Sequence, residues 1–149
     1  MKKFFGGLFL LLVLFSLVGC FPVYEDTNGA EDYTLQSLTE ADIISGGTYS
    51  KAMSSTITVN DKTVCKAKAM SGVETLFEQR LKNEAFEILV SCEILKGNAR
   101  LVLVVDGEIV YDFALNESNQ RFTLKNVSGD VSLRLAGESV GYSVTYEIS

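Results

Sequence analysis

Beyond Gly47 apolar and polar residues alternate with a period of two, the pattern of strands that bury one face. Ile57 and Val59 lead into Asn60-Asp61, a turn signal, after which Cys65, Ala67 and Ala69 point one way and Lys66 and Lys68 the other. Phe86, Ile88, Val90, Cys92 and Ile94 share a face up to a predicted turn at Lys96-Gly97-Asn98. Leu101 to Val105 is apolar at every position, which predicts a central strand covered on both sides. Asp106-Gly107 joins it to Ile109, Tyr111 and Phe113, a strong hairpin signal because a type I′ turn needs positive φ at both central residues. Three more strands follow, carried by Phe122 and Leu124, by Val131, Leu133 and Leu135, and by Tyr142, Val144, Tyr146 and Ile148. Turns between them are expected at 126–130 and 137–141. Val73, Phe77 and Leu81 fit strand spacing and, with Leu76, a helix face as well. The strand is favoured because Lys82-Asn83-Glu84 then turns it into its neighbour. Seven or eight short strands at this spacing predict an all-β domain, a single antiparallel β-sandwich of jelly-roll or immunoglobulin-like type, over residues 48–149.

The first residues follow another rule. Lys2 and Lys3 precede an uncharged apolar run from Phe4 to Leu17, and Leu17-Val18-Gly19-Cys20 closes it. A membrane-spanning helix needs about 20 apolar residues, so this run is too short to cross and stay. It resembles the signal peptide and lipobox of bacterial lipoproteins. That resemblance implies that residues 1–19 are removed and that Cys20 carries a covalent diacylglyceryl group as the first mature residue. A thiol suits the role because its anion is accessible near neutral pH and strongly nucleophilic. Two acyl chains hold a protein on a bilayer where one gives marginal binding. The expected location is the cell membrane, lipid-anchored, facing the extracytoplasmic side. Residues 20–47, with the only proline and with Glu25, Asp26, Glu31, Asp32, Glu40 and Asp42, read as an acidic tether. Within it Ser37-Leu38-Thr39-Glu40 followed by Ala41, Ile43 and Ile44 predicts a short capped helical turn ending at Gly46.

Charge and composition exclude several function classes. Loss of residues 1–19 takes Lys2 and Lys3 and no acid, leaving 11 basic and 19 acidic residues, a balance of about −8. Nucleic acid is not an expected partner, since a binder needs a basic patch to displace counterions. Lys62, Lys66 and Lys68 share one strand face and read as solvated. The chain has no histidine and no tryptophan, which removes histidine triads, histidine zinc sites and the indole platform of many sugar-binding surfaces.

The remaining chemistry is sparse. Cys65 and Cys92 both fall on apolar faces, either as a disulfide enclosing 26 intervening residues or as two separate buried thiols. The bond would contribute about 3 kcal/mol through loop entropy. Glu74, Glu78, Glu87, Glu93, Asp106, Glu108 and Asp112 are available to a two-carboxylate hydrolase, but nothing in their spacing singles out a pair. No Asp-X-Asp-X-Asp-Gly calcium loop occurs, and 126–130 or 116–119 offers at most one acidic ligand. Neither a Gly-X-Ser-X-Gly elbow nor a Ser-X-X-Lys motif is present, so no catalytic residue, metal site or cofactor beyond the lipid is expected.

The mature region also resembles small surface lipoproteins of Gram-positive bacteria, in which a short tether precedes a compact sandwich. The shared features are Gly46-Gly47-Thr48-Tyr49-Ser50, Ser71-Gly72-Val73 and Gly137-Glu138-Ser139. None is a catalytic motif. The expectation is a non-enzymatic interaction module of the cell envelope whose partner is an envelope protein or glycan, with Tyr111, Tyr142 or Tyr146 as contact residues. The alternative is a structural or accessory subunit of an envelope complex, its Leu101–Val105 strand lying under a partner or a second copy; an envelope hydrolase using carboxylates ranks behind both.

Overall fold

The computed structural model describes residues 33–149, so the signal segment and Cys20 lie outside the described residues. One short helix, α1 (Glu40–Ser45), precedes four strands, β1 (Tyr49–Val59), β2 (Lys62–Val105), β3 (Glu108–Phe113) and β4 (Gln120–Ile148). They form one antiparallel sheet in the order β1-β2-β3, with β4 paired to β2. The described chain is therefore all-β. Two of its strands are far longer than the short ones the turn signals predict.

The difference lies in what those signals do. Asn60-Asp61 (φ 50 and 63) and Asp106-Gly107 (φ 47 and 78) reverse the chain as two-residue hairpins, joining Val59 to Lys62 and Val105 to Glu108. Asn83 (φ 54), Gly97 (φ 78), Asn126 (φ 55), Gly129 (φ 121) and Ser139 (φ 54) also take positive φ, yet the strand continues through each. Several coincide with register shifts, at Lys82/Glu84 and Lys96/Asn98. They are bulges that bend a strand and raise its twist. A positive-φ residue is legible from sequence; whether it turns or bends depends on pairing that lies far away.

Pairing of β2 with β4 occurs twice. Residues 62–90 run against 120–148, and residues 88–105 run against 131–148 on the other edge. The second half of β4 is thus flanked on both sides by β2. Ile88 to Val90 meet 120–122 on one side and 146–148 on the other, so β2 curls until its middle returns beside its own start. Residues alternate between two apolar clusters along the central strand, as the period of two demands. Leu101 and Leu103 join the main core with Leu81, Phe86, Val90, Leu133, Leu135, Val144 and others, while Val102 and Val104 join Val73, Ala136 and Ile43. The expected two-sided cover of Leu101–Val105 is met within the chain itself, by the main core on one face and α1 with Leu35 and Leu38 on the other.

The predicted helical turn forms with a capping box, but one built from Thr39 and Asp42 instead of Ser37 and Glu40. It ends at Gly46 in the left-handed region, as expected. Its placement corrects the domain boundary, because the described part of the expected tether, residues 33–47, is packed on the sheet. Gly72 marks a close approach just past these residues: a Cβ there would stand 2.3 Å from the Thr48 carbonyl oxygen.

Truncating Leu133, which is fully buried between both β2 stretches, leaves a cavity that the doubly paired strand cannot collapse. Leu133→Ala is expected to lower unfolding free energy by about 2–5 kcal/mol, against less than about 0.5 kcal/mol for Leu95→Ala on the surface, read from urea denaturation.

Candidate functional site

β1 is an edge strand, paired only to β2 through Tyr49↔Gly72 to Val59↔Lys62, as β3 is at the other end of the sheet. Its sequence is rich in Thr, Ile, Val and Ser, which favours an extended chain, but Met53 takes φ 49 and neither it nor Lys68 enters the ladder. Tyr49, Met53, Ile57 and Val59 are all exposed, Met53 by 75%. Lys51 is the one β1 residue that is not exposed. An edge with unpaired backbone groups and apolar side chains is a template for another strand, and Lys51 is its only charge.

Lys51 leads inward to the most unusual polar group in the core. Glu74, paired with Leu135, faces the main cluster and is 5% exposed. Its carboxylate accepts from Lys51 Nζ and, through Oε2, from the Tyr142 hydroxyl at 2.7 Å. Burial and the Glu74 bond hold the Tyr142 phenol well above its ordinary value, so it stays a donor. Burial disfavours the Lys51 ammonium, but the hydrogen bond and charge of Glu74 outweigh it and its pKa rises. The three side chains form a satisfied buried pair with a third donor, which ties β1 to β2 and β4.

A second polar set fastens residues 33–47. The Glu138 carboxylate accepts from the Gln36 amide at 2.8 Å, the Ser37 amide at 2.6 Å and the Ser37 hydroxyl at 2.8 Å, and more weakly from Leu38. The Gln36 and Ser37 donors pull its pKa down to about 2. Arg134 Nη1 donates to the Ile43 carbonyl at 2.8 Å and to that of Ile44, both at the C-terminal end of α1. Arg100 grips Asp112 with two bonds of 2.6 and 3.0 Å and reaches Glu40 at 3.1 Å.

Cys65 and Cys92 are not brought together. Both are free, buried thiols, and Val144 pairs with each of them from between their strands. Two strand spacings put them about 9.5 Å apart, beyond the ~7 Å Cα separation that a disulfide bridges. Burial raises the Cys65 thiol and pushes that of Cys92 up to about 12, so both are packed hydrophobes. The tyrosines chosen as contacts are corrected too: Tyr142 and Tyr146 are buried, the latter donating to the Leu76 carbonyl at 2.8 Å. Tyr111 is half-buried, its ring stacked on Phe122 at 4.4 Å. Among the described tyrosines Tyr49, on the edge strand, is the exposed one, and edge position is the signal that alternation alone does not supply.

Several of the carboxylates are tied to neighbours. Glu87 pairs with Arg121, Asp112 with Arg100, and Asp106 accepts from the Asp130 amide at 2.8 Å. Glu78, Asp106 and Asp130 do line one cleft of about 350 Å³ beside Arg134. A larger hollow of about 570 Å³ is lined by Ser91, Glu93, Asn116, Ser118, Ser143 and Thr145, with a single acid. Among the described residues no cluster of three or more His, Cys, Asp or Glu side chains is arranged to hold a metal ion, and no helix is long and apolar enough to cross a membrane.

Two measurements check this description. Tyr142→Phe removes a donor from a buried carboxylate and is expected to cost about 1–3 kcal/mol in chemical denaturation. Glu138 has a folded pKa below its unfolded one, so its contribution is complete above about pH 4.5 and fades as pH falls through about 2. Glu138→Gln should therefore lower stability at pH 7 and cease to differ from the unsubstituted chain near pH 2, read by thermal unfolding across pH. No family model matches this chain, and no curated protein matches it either.

Proposed function

We propose that the chain is a lipid-anchored protein of the cell envelope, held on the extracytoplasmic side through Cys20 and acting as a non-enzymatic interaction module. The anchor reading is supported by Lys2 and Lys3, the short apolar run and Leu17-Val18-Gly19-Cys20. The interaction reading is carried by one observation: β1 is a free, eleven-residue sheet edge with exposed Tyr49, Met53, Ile57 and Val59. Its partner is an envelope protein or glycan.

In this reading the curled sheet works as a sandwich-type module, its ribbon of 81–90 and 120–129 folded over the main core. That Glu74, Glu87, Asp106 and Asp112 are each engaged by a neighbour supports a role without catalysis. The accessory-subunit reading loses its motive, because Leu101–Val105 is covered by α1 and the main core.

Intact mass of the membrane-extracted protein tests the anchor. The expected value is that of residues 20–149 plus two or three acyl chains, and Cys20→Ala should move the protein out of the membrane fraction; a mass equal to the bare full chain would sink the proposal. Co-sedimentation with isolated envelope material tests the interaction, with Ile57→Lys expected to reduce retention several-fold.

A further inference from the structure

We propose that the arm from Tyr33 to Val59 exchanges between two copies of this chain, with Asn60-Asp61 as the hinge, so that Lys51 of one copy completes the Glu74–Tyr142 cluster of the other. The occupant of the β1 position is then a second copy of this chain, and the observations behind it concern the hinge and the strand it releases.

The hinge is the more telling of the two. A type I′ turn needs positive φ at both central residues and favours glycine at the second. Asp106-Gly107 obeys this, whereas Asn60-Asp61 places a side chain at both positions, with φ 50 and 63. Opening the hinge lets both residues return to extended backbone and makes β1 continuous with β2. A short, strained hinge is the feature that invites exchange of a terminal element.

The released strand has little to hold it. Apart from its ladder β1 is seated by polar side-chain contacts alone, Lys51 on Glu74, Thr56 on Cys65 and Thr58 on Thr63, and it buries no apolar side chain. Segments with few buried apolar contacts open locally at low free energy. The arm's remaining fastenings are Tyr33 on Ala99 and Asn116, Ile43, Leu35 and Leu38 on the Val73–Val102–Val104–Ala136 cluster, the amides of 36–38 on Glu138, the carbonyls of Ile43 and Ile44 on Arg134, and Glu40 on Arg100; the arm's half of each precedes the hinge and travels with it. Every one of them is re-formed on the second copy. The closed interface is therefore identical in monomer and exchanged dimer, and the balance turns on hinge strain against the entropy of association.

The register supplies a direct test. Thr56 pairs with Cys65, and their side chains touch. Cys65 is only 3% exposed, so only a strand seated in the β1 position reaches it. In the full-length chain, purified in detergent and carrying Cys20→Ser and Cys92→Ser, Thr56→Cys should close a disulfide with Cys65. Exchange predicts a covalent dimer on a non-reducing gel, more abundant after refolding at high concentration and reduced several-fold by Asp61→Gly. A disulfide closed only within single chains overturns the proposal, whether those chains run as monomers or meet edge to edge. Should the disulfide not close, sedimentation velocity of the unsubstituted chain decides: a dimer that Asp61→Gly depletes several-fold supports exchange, and a monomer at every concentration, or a dimer indifferent to Asp61→Gly, overturns it.

Discussion

Double pairing of the second half of β4 is the constraint on which the rest depends. Residues 131–148 are hydrogen-bonded to 62–79 on one edge and to 88–105 on the other. A strand in that position has no free backbone group and no exposed edge, so its side chains decide both faces. Val131, Leu133, Leu135, Val140 and Val144 face the main core, and Ala136 faces α1. Because β2 supplies both neighbours, it must curl between them, and the bulge at Asn83 lies in that curl.

That curl separates the two edges of the sheet in character. β3 is the edge on one side, and the 114–119 loop extends it along β2 through Cys92 N on the Glu117 carbonyl and Ile94 N on Asn116 Oδ1. β1 leaves the other side open. Its underside is stitched by Ser54, Thr56 and Thr58 against Ala67, Cys65 and Thr63, small or hydroxylated residues that add little apolar burial. Glu74 sits at the inner end of this seam, and its charge tolerates the core only because Lys51 and Tyr142 meet it there.

Strand character was legible almost throughout, because a period of two survives any topology. Both true hairpins were legible as well, since Asn60-Asp61 and Asp106-Gly107 each sit between two strand-patterned runs. Strand count was not. Lys96-Gly97-Asn98 carries the same residues as a turn, and only the distant partner Gly141 makes it a bulge. The helical turn was read correctly and its role was not, for Ile43, Leu35 and Leu38 look dispersed until Val73, Val102, Val104 and Ala136 gather beneath them. Cys65 and Cys92 were placed in the core by parity, but parity is blind to the intervening Val144. Glu74 passed unnoticed among many acids, since its burial follows from the bulges that bring it opposite Leu135.

The fastening of residues 33–47 sets a geometric limit. With lipid on Cys20 as proposed, the chain between the anchor and Tyr33 spans thirteen residue steps, and a fully extended chain covers no more than about 3.6 Å per residue. Tyr33, held at Ala99 and Asn116, is therefore within about 47 Å of the bilayer surface whatever path the chain takes. A tether running to Gly47 would have allowed roughly twice that height. If the anchor is as proposed, the domain would work in the layer next to the membrane, and whatever meets it would have to come down to that layer or belong there already.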